Sequence, residues 1–306
     1  MKVSATFGIL LAAAASSVFG AEYKLRQIGA LNTEKFRVYL ENENGVPISP
    51  FHDVPLHPDP KNATVYNMVV EIPRWKNAKL EIDREEPFNP IYHDTNKNGL
   101  RYIANIFPFH GYPANYGSIP QTWEKPDVPH PDVHTKGGDN DPVDVLDIGQ
   151  QVGYPGQVKQ VKLLGGLLMI DDGETDWKLI AIDINDERAP HLNDINDIDD
   201  KLLADIKHWL TVYKMPQGKP ENEFGYDGAY QNHKSIEKLM VETHGYWQML
   251  INGTAKSEIE TVNLSVEGSP NNVDRKSKEV KKVPKGNKKP VPDAPIDEKY
   301  QEWSFV

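Results

Sequence analysis

The stretch Gly138-Asp139-Asn140-Asp141-Pro142-Val143-Asp144-Val145-Leu146-Asp147 constrains this chain more than any other. It sets Asp139, Asp141 and Asp144 at i, i+2 and i+5, then runs into an apolar, strand-like segment. Residues two apart on an extended backbone share a face, so Asp139 and Asp141 are expected to point the same way. Pro142 is expected to fix the bend that brings Asp144 round to them. Three like charges this close repel one another, and divalent cations are the usual remedy. Oxygen ligands with no His or Cys nearby suit Mg²⁺, Mn²⁺ or Ca²⁺ rather than zinc. An EF-hand is excluded by spacing: positions five, six and twelve of such a loop hold Val143, Asp144 and Gln150.

A chain of 306 residues, 38% hydrophobic and 26% charged, is a soluble globular protein of one large domain or two ordinary ones. The net charge of −11 argues against a general nucleic-acid binder, because phosphate contacts need basic surface. The absence of cysteine removes disulfides, thiol catalysis and cysteine-ligated metal sites.

Met1–Ala21 reads as a cleavable secretory signal: Lys2, an apolar run from Phe7 too short to span a bilayer, and Val18-Phe19-Gly20 before Ala21. Export is the expected destination, with mitochondrial or cytoplasmic location as alternatives. No stable membrane insertion is expected. Asn62-Ala-Thr, Asn252-Gly-Thr and Asn263-Leu-Ser are glycosylation triplets if the chain is exported.

Strands are expected at Phe36–Glu41, with Asn44-Gly45 as a hairpin turn, and at Val65–Ile72, Ala78–Ile82 and Leu100–Ala104. More are expected at Val143–Ile148, Gln157–Leu164, Gly166–Ile170 and Trp177–Ile184. Many short strands with few intervening helices argue for a barrel or closed sheet. Residues 105–137, rich in Pro, His, Tyr and Gly, read as ordered loops of the kind that carry function. Apolar stripes predict two helices, Asp199–Tyr213 and Ser235–Ile251. From about Lys256 the apolar pattern fades. Arg275–Lys289 carries eight Lys/Arg and one Glu, and such a run is expected to be a solvated, partly disordered tail. The aromatic segment beginning at Tyr300 is suited to dock back onto the body.

A second acidic group, Asp171-Asp172-Gly173-Glu174-Thr175-Asp176, reads alone as a turn between two strands. Acidic residues recur beside strand-borne cations at Glu71, Lys79-x-Glu81, Arg101 and Asp176-x-Lys178, with Tyr112, Tyr116, Tyr213 and Lys214 in turn-like stretches. Carboxylates that hold several Mg²⁺, facing cations and phenols that bind phosphoryl oxygens, make a site for phosphoryl transfer to water.

Asp139-Asn-Asp-Pro-Val-Asp-Val resembles the signature of the family I soluble inorganic pyrophosphatases. The resemblance, to the eukaryotic fungal or animal branch, extends through Met68-Val-Val-Glu-Ile-Pro-Arg-Trp, Asn115-Tyr-Gly-x-x-Pro-Gln-Thr-Trp-Glu, Gly173-Glu-Thr-Asp-Trp-Lys and Tyr213-Lys-x-Pro-x-Gly-Lys-Pro-Glu-Asn. It covers residues 24–251, with an echo at Asp293-Ala-Pro-Ile-Asp and Trp303, so a catalytic domain is placed at 22–252 and a tail at 253–306.

The resemblance implies a mainly β fold: an OB-like five-stranded barrel core with additional strands and two main α-helices. It also implies a homodimer that hydrolyses pyrophosphate to two orthophosphates, with Mg²⁺ required and Mn²⁺ as a substitute. Asp139, Asp144 and Asp176 would be the principal metal ligands, with Asp171 and Glu81 completing the shell and Glu71 nearby. Asp141 would be the base acting on a metal-bridging water that attacks as hydroxide, without a covalent phospho-enzyme. Lys79, Arg101, Tyr116, Lys178, Tyr213 and Lys214 would hold the phosphates, with Tyr112 a candidate acid near the leaving group. Phe109 departs from the family pattern, which usually has a second His or Lys there. A catalytically silent phosphate- or cation-binding protein on the same barrel is the alternative. It would be marked by loss of Asp141, Arg101 or a metal carboxylate, and none is lost.

Overall fold

The computed structural model describes residues 23–306, and the expected signal peptide lies outside the described residues. The chain runs through β1 (Lys24–Ile28), β2 (Arg37–Glu41), β3 (Pro47–Ile48), β4 (Tyr66–Ile72), β5 (Leu80–Ile82), β6 (Ile91–His93), β7 (Thr95–Asn96), β8 (Gly99–Leu100), β9 (Asn105–Ile106), β10 (Asn115–Ser118), β11 (Asp144–Asp147), β12 (Val158–Asp171) and β13 (Glu174–Asp183). Helix α1 (Asp200–Val212), β14 (Glu223–Phe224), β15 (Gln231–Asn232), α2 (His233–Ile251), α3 (Lys278–Lys282) and β16 (Trp303–Ser304) follow. Among the described residues no helix is long and apolar enough to cross a membrane.

Strands β13, β11, β10, β4 and β12 neighbour one another in that order, and β12 pairs again with β13, so five strands close into a ring, the OB-like barrel. Strand alternation then sorts the side chains. Leu146, Leu167, Ile180 and Ile182 join one cluster with Trp209 of α1, whereas Val145, Leu163, Leu168 and Leu179 join another with Ile236 and Met240 of α2. Asp144, Asp176 and Lys178 have the parity of the first group, so one alternation both packs α1 and presents the charged residues.

A second sheet, β1-β2-β6-β5, lies beside the ring and brings up Glu81 on β5. The Asn44-Gly45 turn joins β2 to β3 as expected, with Gly45 at φ 71°. Both helices form where the apolar stripes place them, because each also has a cap. The Asp199 side chain accepts from the Leu202 N–H, and that of Asn232 accepts from the Ser235 N–H. Pro216 cannot continue α1, and the chain leaves through a 3₁₀ turn ending at Gly218, φ 81°.

Three local expectations change. Gln157–Leu164 and Gly166–Ile170 are one strand, β12, whose register shifts between Leu163 and Gly165. The glycines there mark a close approach rather than a break, since a Cβ on Gly165 would stand 2.5 Å from the Gln231 carbonyl oxygen. Leu100–Ala104 forms a lone bridge, Ala78 to Tyr102, beside β8 instead of a full strand. The segment from Lys256 onward lies along the body. Ile259 and Val262 are buried, Asn287 donates to the Gly29 carbonyl at 2.8 Å, and the rings of Tyr300 and Tyr102 stack at 4.4 Å. Val273, Val280 and Val283, spread thinly among the lysines, pack against Tyr39, Phe88 and Val262, an apolar pattern too sparse to show as a period.

Candidate active site

The β12–β13 hairpin, the end of β11 and the Asp139–Pro142 loop meet β5 and the C-terminal end of α1 around a cleft of ≈ 350 Å³. The hairpin turn places Asp172 and Gly173 at φ 48° and 87°, the left-handed pair a two-residue hairpin needs, and sets Asp171 opposite Glu174. Parallel pairing of β11 with β13 sets Asp144 beside Lys178. The Asp139–Asp141 backbone is not extended as expected: Asn140 has φ 72°, and its Oδ1 accepts from the Trp123 indole N–H at 3.0 Å. The two aspartates reach one cleft through this left-handed kink, which Asn tolerates better than most residues.

Of the residues singled out from the sequence, Glu71, Lys79, Glu81, Arg101, Tyr116, Asp139, Asp141, Asp144, Asp171, Asp176, Lys178, Tyr213 and Lys214 all line the cleft. Tyr112 does not. It stands behind the wall, its buried ring against Tyr116 and Trp209 at centroid distances of 5.2 and 5.0 Å. Arg84, Tyr92, Asp94, Glu174 and Gln217 also line the cleft and were not anticipated. Arg84 sits in the charged run Asp83–Glu86 just after β5, a signal that reads from sequence as a solvated turn.

Nine carboxylates face five Lys and Arg side chains, a formal excess of four negative charges. Each cation is engaged. Lys79 pairs with Glu81, Arg101 with Asp94 and Lys214 with Asp171. Arg84 Nε lies 3.2 Å from Asp141 Oδ1. Lys178 bridges Asp144 and Asp176, at 2.5 Å from Asp176 Oδ1 and 2.9 Å from the Tyr116 hydroxyl.

The protonation equilibria follow from this crowding. Burial pushes the Glu71 carboxyl well up, reinforced by Asp144. Asp139 goes the same way, through burial and then Asp176 and Asp141. Burial raises Asp176 to about 6, with Lys178 opposing it. It raises Asp141 to about 7 against the pull of Arg84. The Asp141 side chain is still 39% exposed, so water also limits that rise. For Lys178 burial acts downward, but Asp144 and Asp176 outweigh it and hold the ammonium charged. Burial lifts Tyr112 to about 12. A cleft whose carboxyls resist ionisation this strongly has a large affinity for added positive charge. Its lining contains no His and the chain no Cys, so the donors are oxygens, which fit hard divalent cations.

The profile of the pyrophosphatase family, described as inorganic pyrophosphatase, matches residues 68–248, the span that contains the whole cleft. The chain belongs to the inorganic pyrophosphatases. It is 50% identical over 289 residues to an inorganic pyrophosphatase of Candida glabrata and 47% identical to that of Zygosaccharomyces bailii, in each case over 93% of this chain and 98% of the relative. These fungal likenesses place it among the eukaryotic family I soluble enzymes, which are hydrolases. The solved inorganic pyrophosphatase of Schistosoma japonicum superposes with a TM-score of 0.84 at 43% identity, covering 93% of this chain and all of that one (100%). A truncated vacuolar soluble pyrophosphatase of Trypanosoma cruzi, solved in complex with PPi, superposes at 0.68 with 36% identity, covering 82% of this chain and 99% of its own.

Proposed function

We propose that this pyrophosphatase hydrolyses inorganic pyrophosphate by direct attack of water in a Mg²⁺-loaded cleft, without a covalent phospho-enzyme. The observation that carries this is the opposition, in one ≈ 350 Å³ cleft, of Asp139, Asp144, Asp171 and Asp176 to Lys79, Arg101, Lys178 and Lys214. In the proposed arrangement Asp139, Asp144 and Asp176 hold Mg²⁺, with Asp171, Glu81 and Glu71 around them, and Mn²⁺ serves as a substitute. Mg²⁺ held there would neutralise phosphoryl charge and make the attacking water easier to deprotonate near neutral pH.

Asp141 faces the cleft, and its carboxylate takes or directs the proton of that water. Arg84, beside it in the cleft wall, pairs with it. The water oxygen bonds to one phosphorus, the bridging P–O bond breaks, and the leaving orthophosphate departs with the bridging oxygen. Lys79, Arg101, Lys178, Lys214, Tyr116 and Tyr213 bind phosphoryl oxygens. Phosphoryl transfer asks the protein mainly for such positioning and charge. The leaving-group proton can come from the Tyr116 hydroxyl at the cleft wall, with Tyr112 packed behind its ring. In the structure every one of these cations rests on a carboxylate, so a divalent ion held among the aspartates would free Lys79, Lys178 and Lys214 for the substrate. The test is orthophosphate release from pyrophosphate as Mg²⁺ is titrated, with and without EDTA. No release at any Mg²⁺ or Mn²⁺ level would favour the silent-binder alternative.

A homodimer is proposed on the exposed aromatic surface of Trp75, Phe107, Trp303 and Phe305 (45–78% exposed for the last two). Light scattering of the protein and of Trp75→Ser would test it. Export is proposed on the Met1–Ala21 sequence alone, and the N-terminal residue of the mature protein would test it.

A further inference from the structure

Glu124 closes the Asn115–Glu124 stretch that carries the family resemblance, but it lies outside the ligand set considered so far. Oxygens of Glu124, Asp139 and Asp176 nevertheless lie within 4.8 Å of one another, a spacing that suits three ligands on one cation. Glu124 is 4% exposed. Its Oε1 accepts the Trp177 N–H at 3.1 Å, while its Oε2 is buried with no hydrogen-bond partner. A buried carboxylate oxygen without a donor is a group that structures rarely leave unanswered. The Lys178 ammonium is already held by Asp144, Asp176 and Tyr116.

The backbone locks this carboxylate against the acidic loop. Glu124 N–H donates to the Asp141 carbonyl and Asn140 N–H donates to the Glu124 carbonyl, both at 2.9 Å. Gly138 approaches so closely that a Cβ there would stand 2.4 Å from the Glu124 carbonyl carbon. Glu124 lines not the cleft itself but a separate groove with His130, Trp177 and Tyr246, and its carboxylate meets Asp139 and Asp176 from that side.

We propose that Glu124 is a direct ligand of a divalent cation, closing a three-carboxylate position with Asp139 and Asp176 at the back of the cleft. The proposal rests on the cleft being metal-loaded, and it is separable from it: the enzyme can be Mg²⁺-dependent with Glu124 uninvolved. The rival is a protonated Glu124 that shares its hydrogen with a neighbouring carboxylate. Glu124→Gln copies the neutral acid in shape and keeps the acceptor for Trp177, so it discriminates between the two.

Mn²⁺ binding to the purified protein, followed by the EPR signal of the free ion, is the experiment, with Asp139→Asn as the comparison. The expected result is that Glu124→Gln loses one bound ion or weakens the tightest site by at least ~10-fold, as Asp139→Asn does. Unchanged stoichiometry and affinity in Glu124→Gln would overturn the assignment. Near-UV circular dichroism of the metal-free proteins checks the fold. If Glu124→Gln does not fold, Glu124→Asp, which keeps the charge but withdraws the oxygens by one methylene, is measured instead, and wild-type binding there would equally overturn it.

Discussion

Acid should unfold this protein partly through one histidine outside the cleft lining. His52 is fully buried and stacked on Phe51 at 4.3 Å. Its Nδ1 lies 3.0 Å from the Trp247 indole nitrogen and its Nε2 lies 3.1 Å from the Glu260 carbonyl oxygen. An indole N–H can only donate, so Nδ1 accepts and Nε2 carries the hydrogen. The neutral ring is satisfied on both sides. A second proton would face the Trp247 N–H and charge a dry site, and burial drops the pKa from 6.5 to about 3, with the Glu260 carbonyl opposing.

The folded pKa is thus below the unfolded one, so the unfolded chain binds more protons between the two values. Stability is fully present above 6.5 and falls with pH toward 3, at up to about 1.4 kcal/mol per unit. From pH 7 to 4.5 His52 should cost about 2.5 kcal/mol, a sizeable part of the roughly 5–15 kcal/mol a folded protein holds. Cleft carboxyls with raised pKa act in the opposite direction, so wild type must be compared with a chain lacking only this titration. Urea unfolding of wild type and His52→Gln at pH 7.0, 5.5 and 4.5 makes the comparison. The variant should be weaker at neutral pH, and the gap should shrink by about 2.5 kcal/mol at pH 4.5. Parallel pH profiles would refute the reasoning.

Other consequences follow from packing and charge. Gly117→Ala would put a Cβ 1.9 Å from the Val69 carbonyl oxygen, prising β10 from β4; a loss of roughly 3 kcal/mol or more is expected in thermal or urea unfolding. Asp53→Ala would strip the acceptor from the Leu264 and Ser265 N–H groups, now at 2.8 and 2.7 Å, costing about 1–3 kcal/mol and opening that segment to limited proteolysis. Lys178→Ala leaves Asp144 and Asp176 without their shared cation; kcat/KM for pyrophosphate should fall by roughly 10² or more, while circular dichroism stays unchanged.

The helices were legible in the sequence because an apolar stripe, a side-chain cap and a following proline all agree at α1. The ring was legible as a class, many short strands, but its closure depends on β12 passing unbroken through Gly165-Gly166, where glycine signals a neighbour rather than an end. Most cleft residues could be read because they lie in the motifs that carry the family resemblance, and some, such as Asp176 and Lys178, also because strand alternation carries charge on one parity. The others are long-range. Arg84 and Asp94 join the site only because the second sheet docks there. Glu124 stands beside Trp123 in an otherwise loop-like stretch, and only tertiary contact sets it against Asp139. The basic tail misleads because a few valines anchor it beneath many lysines, so charge density hides its packing.

Asp141, held by Arg84 in a carboxylate-rich cleft, is proposed to act on the attacking water. The direct measurement is orthophosphate release from pyrophosphate with saturating Mg²⁺ by wild type and Asp141→Asn. Wild type should release orthophosphate in a Mg²⁺-dependent way, and kcat of the variant should be roughly 10²-fold or more lower, with Mn²⁺ binding largely retained. Equal kcat in the two proteins would contradict it.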